Sequence, residues 1–259
     1  MNSTTPLLIE DTNLSHAWSR AFLHIIDNPS KEISPLVITL TGFTNGVSNE
    51  DQAIRLALDN SLLINKAQKI HTVANTIFPY SLWKHSKNNR NKLFDMYLKA
   101  LPRYKALAPH KNRRGIYFER LIAYGAGPKN GNQLEYIISQ YNSRSGVRKS
   151  MFQASIFDPA RDHITSAQLP FPCLQHISFV PQNRDKTLTI NAFYATQQMF
   201  EKAYGNYLGL CRLGDFMAHE MGLTFERMNC FIGVAKLDTI PKSHQSLTQL
   251  TEIARATLS

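Results

Sequence analysis

The chain has 259 residues and a mass of 29.4 kDa, 43% apolar and 19% charged, enough to bury a full core without disulfides or structural metals. Three cysteines, Cys173, Cys211 and Cys230, without a charged-then-apolar leader lead us to expect a cytoplasmic protein with no disulfide framework, and no apolar run approaches the roughly 18 residues of a membrane span. Lys and Arg number 29 against 19 Asp and Glu, a net of +10, of which the segment from Lys84 to Arg120 alone carries +9; such a field attracts phosphate on a nucleotide or nucleic acid, or is simply a solvated basic face.

Residues 1–12 read as polar and frayed. Leu14, Trp18, Phe22, Ile25 and Ile26 recur at helical spacing until Asn28-Pro29, which predicts a helix over 14–26. Pro35 to Leu40 is short and β-branched, a strand. A helix is expected over 50–69, with Ile54, Leu58, Leu62 and Ile64 on one side, whereas His71 to Pro79 is ambiguous between a helix end and a buried strand. Residues 88–107 read as a basic helix ended by Pro109. After Leu121 to Gly125 and a turn-rich stretch, Asn132 is placed to cap a helix from Gln133 to Tyr141. Three strands are expected next, Ser150 to Phe157, Leu174 to Val180 and Thr187 to Tyr194, the last with clear alternation. Gln197 to Met221 is apolar nearly all round, as a helix buried in the middle of a domain would be, and Gly222 ends it. A strand over 228–237 and a helix from Ser246 complete the chain. There are no repeats and no linker, so helices laid on one mostly non-parallel sheet, in a single α+β domain over 1–259, is the expected architecture.

Chemistry is most plausibly carried by the segment Leu169-Pro-Phe-Pro-Cys173, which puts a thiol after a proline-stiffened turn at the mouth of a strand. A thiol becomes a nucleophile when a nearby cation holds it as thiolate, and Arg148, Lys149 and His176 are candidates by sequence; alternatively Cys173 is a small buried hydrophobe, the role that suits Cys211 and Cys230. The Cys173/His176 pair has no second pair at ligand spacing to complete a zinc site.

The order of these features, from Arg148-Lys149 through a strand ending near Asp158, Pro172-Cys173, a strand to Thr196, and Tyr204-Gly205-Asn206 entering an apolar helix, resembles thymidylate synthase and the pyrimidine hydroxymethylases over roughly residues 120–240. The resemblance implies that fold, helices on a mixed, largely antiparallel sheet with a long buried central helix. It implies a homodimer that transfers a methyl or hydroxymethyl group to C5 of a pyrimidine nucleotide in nucleotide biosynthesis, with 5,10-methylenetetrahydrofolate as donor. By position, Cys173 adds to C6 of the ring and Asn206 reads its edge. Arg148 and Lys149 match a basic pair that reaches the phosphate of the other subunit.

Departures fall on the substrate. Tyr194-Ala195-Thr196 stands where the family has a Gln-Arg-Ser phosphate clamp, so Tyr194 and Thr196 remain as substrate-binding candidates while the arginine is Ala195. Leu174 stands for a His, Gln198 for an Asp, and Val234-Ala-Lys236-Leu-Asp238 for the motif that holds the sugar hydroxyl, leaving Lys236 and Asp238 as its candidates. Asn75 falls near the expected position of a catalytic Glu. A catalytically inactive relative that binds nucleotide or nucleic acid through residues 84–120 is the alternative reading. A third is a basic nucleic-acid-binding protein stacking bases on Phe94, Tyr97, Tyr104, Tyr117 and Phe118.

Overall fold

In the computed structural model, which describes residues 6–165, 171–238 and 240–259, seven strands build one mixed sheet: β1 (Leu7–Asp11), β2 (Glu32–Ile33), β3 (Leu36–Leu40), β4 (Gln153–Ser155), β5 (Leu174–Gln182), β6 (Thr187–Gln198) and β7 (Thr224–Lys236). The order is β1-β3-β7-β6-β5-β4, with β2 on β7. Antiparallel ladders join β3 to β7, β5 to β6, β4 to β5 and β2 to β7, whereas β1–β3 and the long central β6–β7 ladder are parallel. Alternation on a strand fixes which side is buried but not which way its neighbour runs, so the parallel centre is not disclosed by pattern.

The strand β1 corrects the expectation of a frayed start. Only Ile9 is buried on it, while Leu8 and Glu10 are exposed, and an edge strand with one buried side chain leaves almost no apolar signature.

Helices cover one face of the sheet. Asn13 caps α1 (Leu14–Asp27) by accepting from the Ser15 and His16 amides, and Asp51 caps α2 (Gln52–Ile64). The ambiguous stretch is a helix, α3 (Ile70–Ile77), followed by α4 (Tyr80–His85). Next comes α5 (Arg90–Leu107), which continues through Pro102; Pro109 does not merely end it but occupies the first position of the short α6 (Pro109–Asn112), where its missing N–H costs nothing. After α7 (Tyr117–Ile122), Asn132 caps α8 (Gln133–Ser143) through its side chain and the Glu135 amide at 2.9 Å. The small α9 (Pro159–Asp162), the central α10 (Tyr204–Glu220) and α11 (Gln245–Leu258) follow. Where a helix is expected from Gln197, β6 instead runs to Gln198 and a wide π turn, Met199–Ala203, precedes α10.

Thirteen residues of α10 are buried. It lies against α3 where a Cβ on Gly205 would stand 2.6 Å from Val73 Cβ, and one on Gly209 2.8 Å from the Ala74 carbonyl oxygen. Glycine four residues apart on one helix face thus sets the separation of the two helices.

The opposite sheet face is open among the described residues. In register across it lie Leu8, Val37, Phe231, Phe193 and His176, with Leu8, Phe231 and Phe193 at 70%, 42% and 41% exposure and the two Phe rings stacked. The next row is a polar ladder in which Thr39 donates to Asn229, Asn229 to Asn191, and Asn191 to Ser178.

Candidate active site

A cavity of about 410 Å³ opens where β5 starts and β6 ends. Cys173 reaches it from the residue before β5, Thr196 and Gln197 from the end of β6, Glu201 and Lys202 from the π turn, and Asn206 from the first turn of α10. Lys111 and His110 of α6 and Tyr117 of α7 also line it. Cys173 and Asn206, nominated from distant segments, therefore share one concave site. Cys173 is half-buried, and the Thr196 hydroxyl lies 3.8 Å from its sulfur; its carbonyl accepts from the Ala195 amide at 3.1 Å, which ties the loop to β6. Of the segment Leu169–Cys173, Leu169 and Pro170 lie outside the described residues.

The loop is also braced from behind. The buried Arg120 guanidinium pairs with Asp162 at 2.7 Å, donates to the Ile156 and Arg114 carbonyls, and lies 5.3 Å from the Phe171 ring centroid. The Tyr117 hydroxyl, held well above the ordinary phenol range first by burial and then by the nearby Cys173, faces the backbone amides of Leu174 and Cys173.

Gln197 shows how the polar inner wall is oriented. It is 2% exposed, and the buried Tyr207 hydroxyl donates to its Oε1 at 2.6 Å. That bond fixes the amide; Nε2 has no hydrogen-bond partner and is enclosed by protein, while the residue forms part of the cavity wall. An unpaired buried donor is costly unless a ligand or water meets it.

The π turn is held at both sides. Trp18 Nε1 donates to the Met199 carbonyl at 2.8 Å, and the Glu201 amide donates to Asp238 Oδ2 at 2.8 Å. Lys202 Nζ donates to Gln68 Oε1 at 2.8 Å; burial lowers its pKa, and the charge of Lys111 lowers it further. Burial raises Asp238 to about 7, against which the Glu201 amide works.

The remaining nominated residues are placed elsewhere. Tyr194 is fully buried and does not line the cavity: with Leu188, Ile190 and Ala192 it occupies the inward positions of β6, and its register partners are Ile232 and Leu174. A phenol pushed well up by burial, with no hydrogen-bond partner, is a core group there. Lys236 ends β7 on the surface, and Asp238 supports the π turn from outside the cavity. Arg148 and Lys149 are exposed; Lys149 bonds Gln182 at the far end of β5 from Cys173. Neither approaches the thiol of its own chain, and His176 is bonded to Gln153 instead. Cys211 and Cys230 are buried, and burial pushes both thiols up. Among the aromatics of the basic segment, Phe94, Tyr97 and Phe118 are buried, so they offer no stacking platform. Three of its cations are neutralised, Arg90 by Glu135 and Glu220, Lys105 by Glu119 and Arg120 by Asp162.

Gln197, Glu201, Lys202 and Lys111 were not singled out from the sequence. The signal for the first three was the run of polar residues interrupting an otherwise apolar stretch between Tyr194 and Ala203; it was absorbed into a helix that begins later than expected.

A second cavity of about 520 Å³ adjoins the first, sharing Gln68, Thr76, Asn112 and Ile116. Its walls include Tyr97, Tyr104, Leu107 and Leu82, with the buried Tyr97 hydroxyl and the Asn75 carbonyl oxygen both unpartnered. No protein-family model matches the chain, and no curated protein matches it. No helix among the described residues is long and apolar enough to cross a membrane.

Proposed function

We propose that the protein is a thymidylate-synthase-like transferase that adds a methyl or hydroxymethyl group to C5 of a pyrimidine nucleotide. The observation that supports this most is the convergence of Cys173 and Asn206 on one cavity of about 410 Å³, a size suited to a small ligand. In this reading the Cys173 thiolate bonds to C6 of the ring while the C5–C6 electron pair moves onto C5 and the ring carbonyl. Asn206 donates to that carbonyl and accepts from the ring N–H, which holds the base over the sulfur. The carbanion at C5 takes the one-carbon unit, and loss of the C5 proton releases the carrier amine from that unit. The exocyclic carbon then takes a hydride to become methyl or water to become hydroxymethyl, as the C6–S bond breaks and the C5–C6 double bond is restored. Glu201 is the carboxylate on the cavity wall among the described residues, and it takes that proton, a role for which Asn75 has no acid. Methylenetetrahydrofolate would supply the one-carbon unit and, for a methyl product, the hydride, leaving as dihydrofolate. In this reading its rings would occupy the adjoining cavity, whose walls include Tyr104 and Leu107. Arg148 and Lys149 then act on the site of a second subunit.

The test is release of tritium from C5-labelled uracil and cytosine nucleotides, with and without methylenetetrahydrofolate. Release that disappears in Cys173→Ser is expected. No release from any of these nucleotides, with nucleotide binding retained in Cys173→Ala, favours the catalytically inactive binding protein instead.

A further inference from the structure

The position at which a phosphate arginine would be expected is Ala195, so the cavity must neutralise an anion by other means or bind none. Lys202 and Lys111 both line it, with His110 next to Lys111 in the chain. Neither lysine forms a salt bridge among the described residues, although Glu201 lies on the same wall. Two ammonium groups against one carboxylate leave the cavity net positive. Like charges brought together in a partly desolvated site are unfavourable unless an anion joins them. Gln197, also on the cavity wall, keeps a buried Nε2 without a hydrogen-bond partner behind it.

We propose that Lys202 and Lys111 form a phosphate subsite within the Cys173 cavity, and that this subsite replaces the arginine missing at Ala195. The proposal rests on reading the cavity as a nucleotide site. A phosphate there forms charge-assisted bonds to both ammonium groups, and its binding weakens with ionic strength. Because burial and Lys111 already lower the Lys202 pKa, the subsite loses affinity at a lower pH than one built on ordinary lysines.

The experiment compares wild type, Lys202→Met, Lys202→Arg and Lys111→Ala by calorimetry with deoxyuridine and deoxycytidine monophosphates and with the corresponding nucleosides. Thermal unfolding checks that each variant is folded. The expected result is a loss of about tenfold or more in monophosphate affinity for Lys202→Met and a smaller loss for Lys111→Ala. Nucleoside affinity stays unchanged and Lys202→Arg retains binding. Equal losses for nucleotide and nucleoside, or unchanged nucleotide affinity with loss only of folate binding, overturn the subsite. A separate arm measures alkylation of Cys173 by iodoacetamide in the presence of inorganic phosphate. Protection by phosphate that vanishes in Lys202→Met supports the subsite even if no pyrimidine binds, so failure of the nucleotide reading is distinguishable from failure of the subsite.

Discussion

Asp238 carries the clearest pH signature of any single residue. Its carboxyl is raised by burial to about 7, whereas in the unfolded chain it titrates near 3.9. The unfolded state therefore gives up this proton first as pH rises. Stability from this group is fully present below about pH 4 and is lost progressively up to about pH 7, at a limiting slope of about 1.4 kcal/mol per pH unit. Asp238→Asn keeps an oxygen to accept from the Glu201 amide and removes the titration. The difference in urea-unfolding free energy between variant and wild type is expected to move in favour of the variant from pH 4 to 7; a constant difference would show that Asp238 ionises normally. Two further single-residue outcomes follow from the site. Glu201→Gln should lower tritium release about 10²-fold or more while leaving nucleotide affinity nearly intact, as removal of a proton acceptor does. Asp162→Ala leaves the buried Arg120 guanidinium unpaired beneath Phe171 and should cost about 3–5 kcal/mol of stability, read by denaturant unfolding.

At the scale of elements, the crossing of α3 and α10 decides the width of the cavity. Gly205 adjoins Asn206, and any Cβ there meets Val73, itself a wall residue. Gly205→Ala must push α3 away or displace α10, and overpacking of this kind costs about 1–3 kcal/mol. A drop in melting temperature together with weaker nucleotide binding is expected; unchanged behaviour in both would show that the helices separate freely. This junction also marks the limit of what the sequence discloses. The helices from Leu14 and Arg90 were legible from apolar positions at helical spacing, and that from Gln133 from its Asn132 cap. The strand β3 was legible as a short β-branched run and β6 from alternation. The end of β6 was not, because Thr196, Gln197 and Gln198 break the alternation and the π turn then joins an apolar helix without a proline or glycine to mark the boundary. The cavity's polar wall lies in that stretch, so Cys173 and Asn206, named from sequence, line the cavity beside Gln197 and Lys202, which were not named. Tyr194, nominated by position in the resemblance, lies in the core instead, since one step of alternation turns a side chain to the other face.

At the scale of the whole molecule, the open sheet face and the position of Arg148-Lys149 bear on the proposed homodimer. From Leu174 to Gln182 β5 spans about 27 Å at roughly 3.4 Å per residue, and Lys149 bonds Gln182, so no lysine or arginine side chain at that end reaches Cys173 of its own chain. The homodimer proposed above would bury this apolar strip if it packs through the exposed row of Leu8, Phe231 and Phe193, and a basic pair shared between subunits requires that β5 of one chain end near its neighbour's cavity. Phe231→Glu is expected to convert dimer to monomer in sedimentation, and a wild-type monomer would remove the arrangement altogether. Complementation then tests the division of labour. Cys173→Ser alone and the double variant Arg148→Ala, Lys149→Ala alone should each lose tritium release. An equal mixture, unfolded and refolded together, contains about half heterodimers, each with one intact site, so about a quarter of wild-type activity should return. A mixture no more active than its parts would assign the basic pair to the solvated surface and leave Lys202 and Lys111 as the cavity's own source of positive charge.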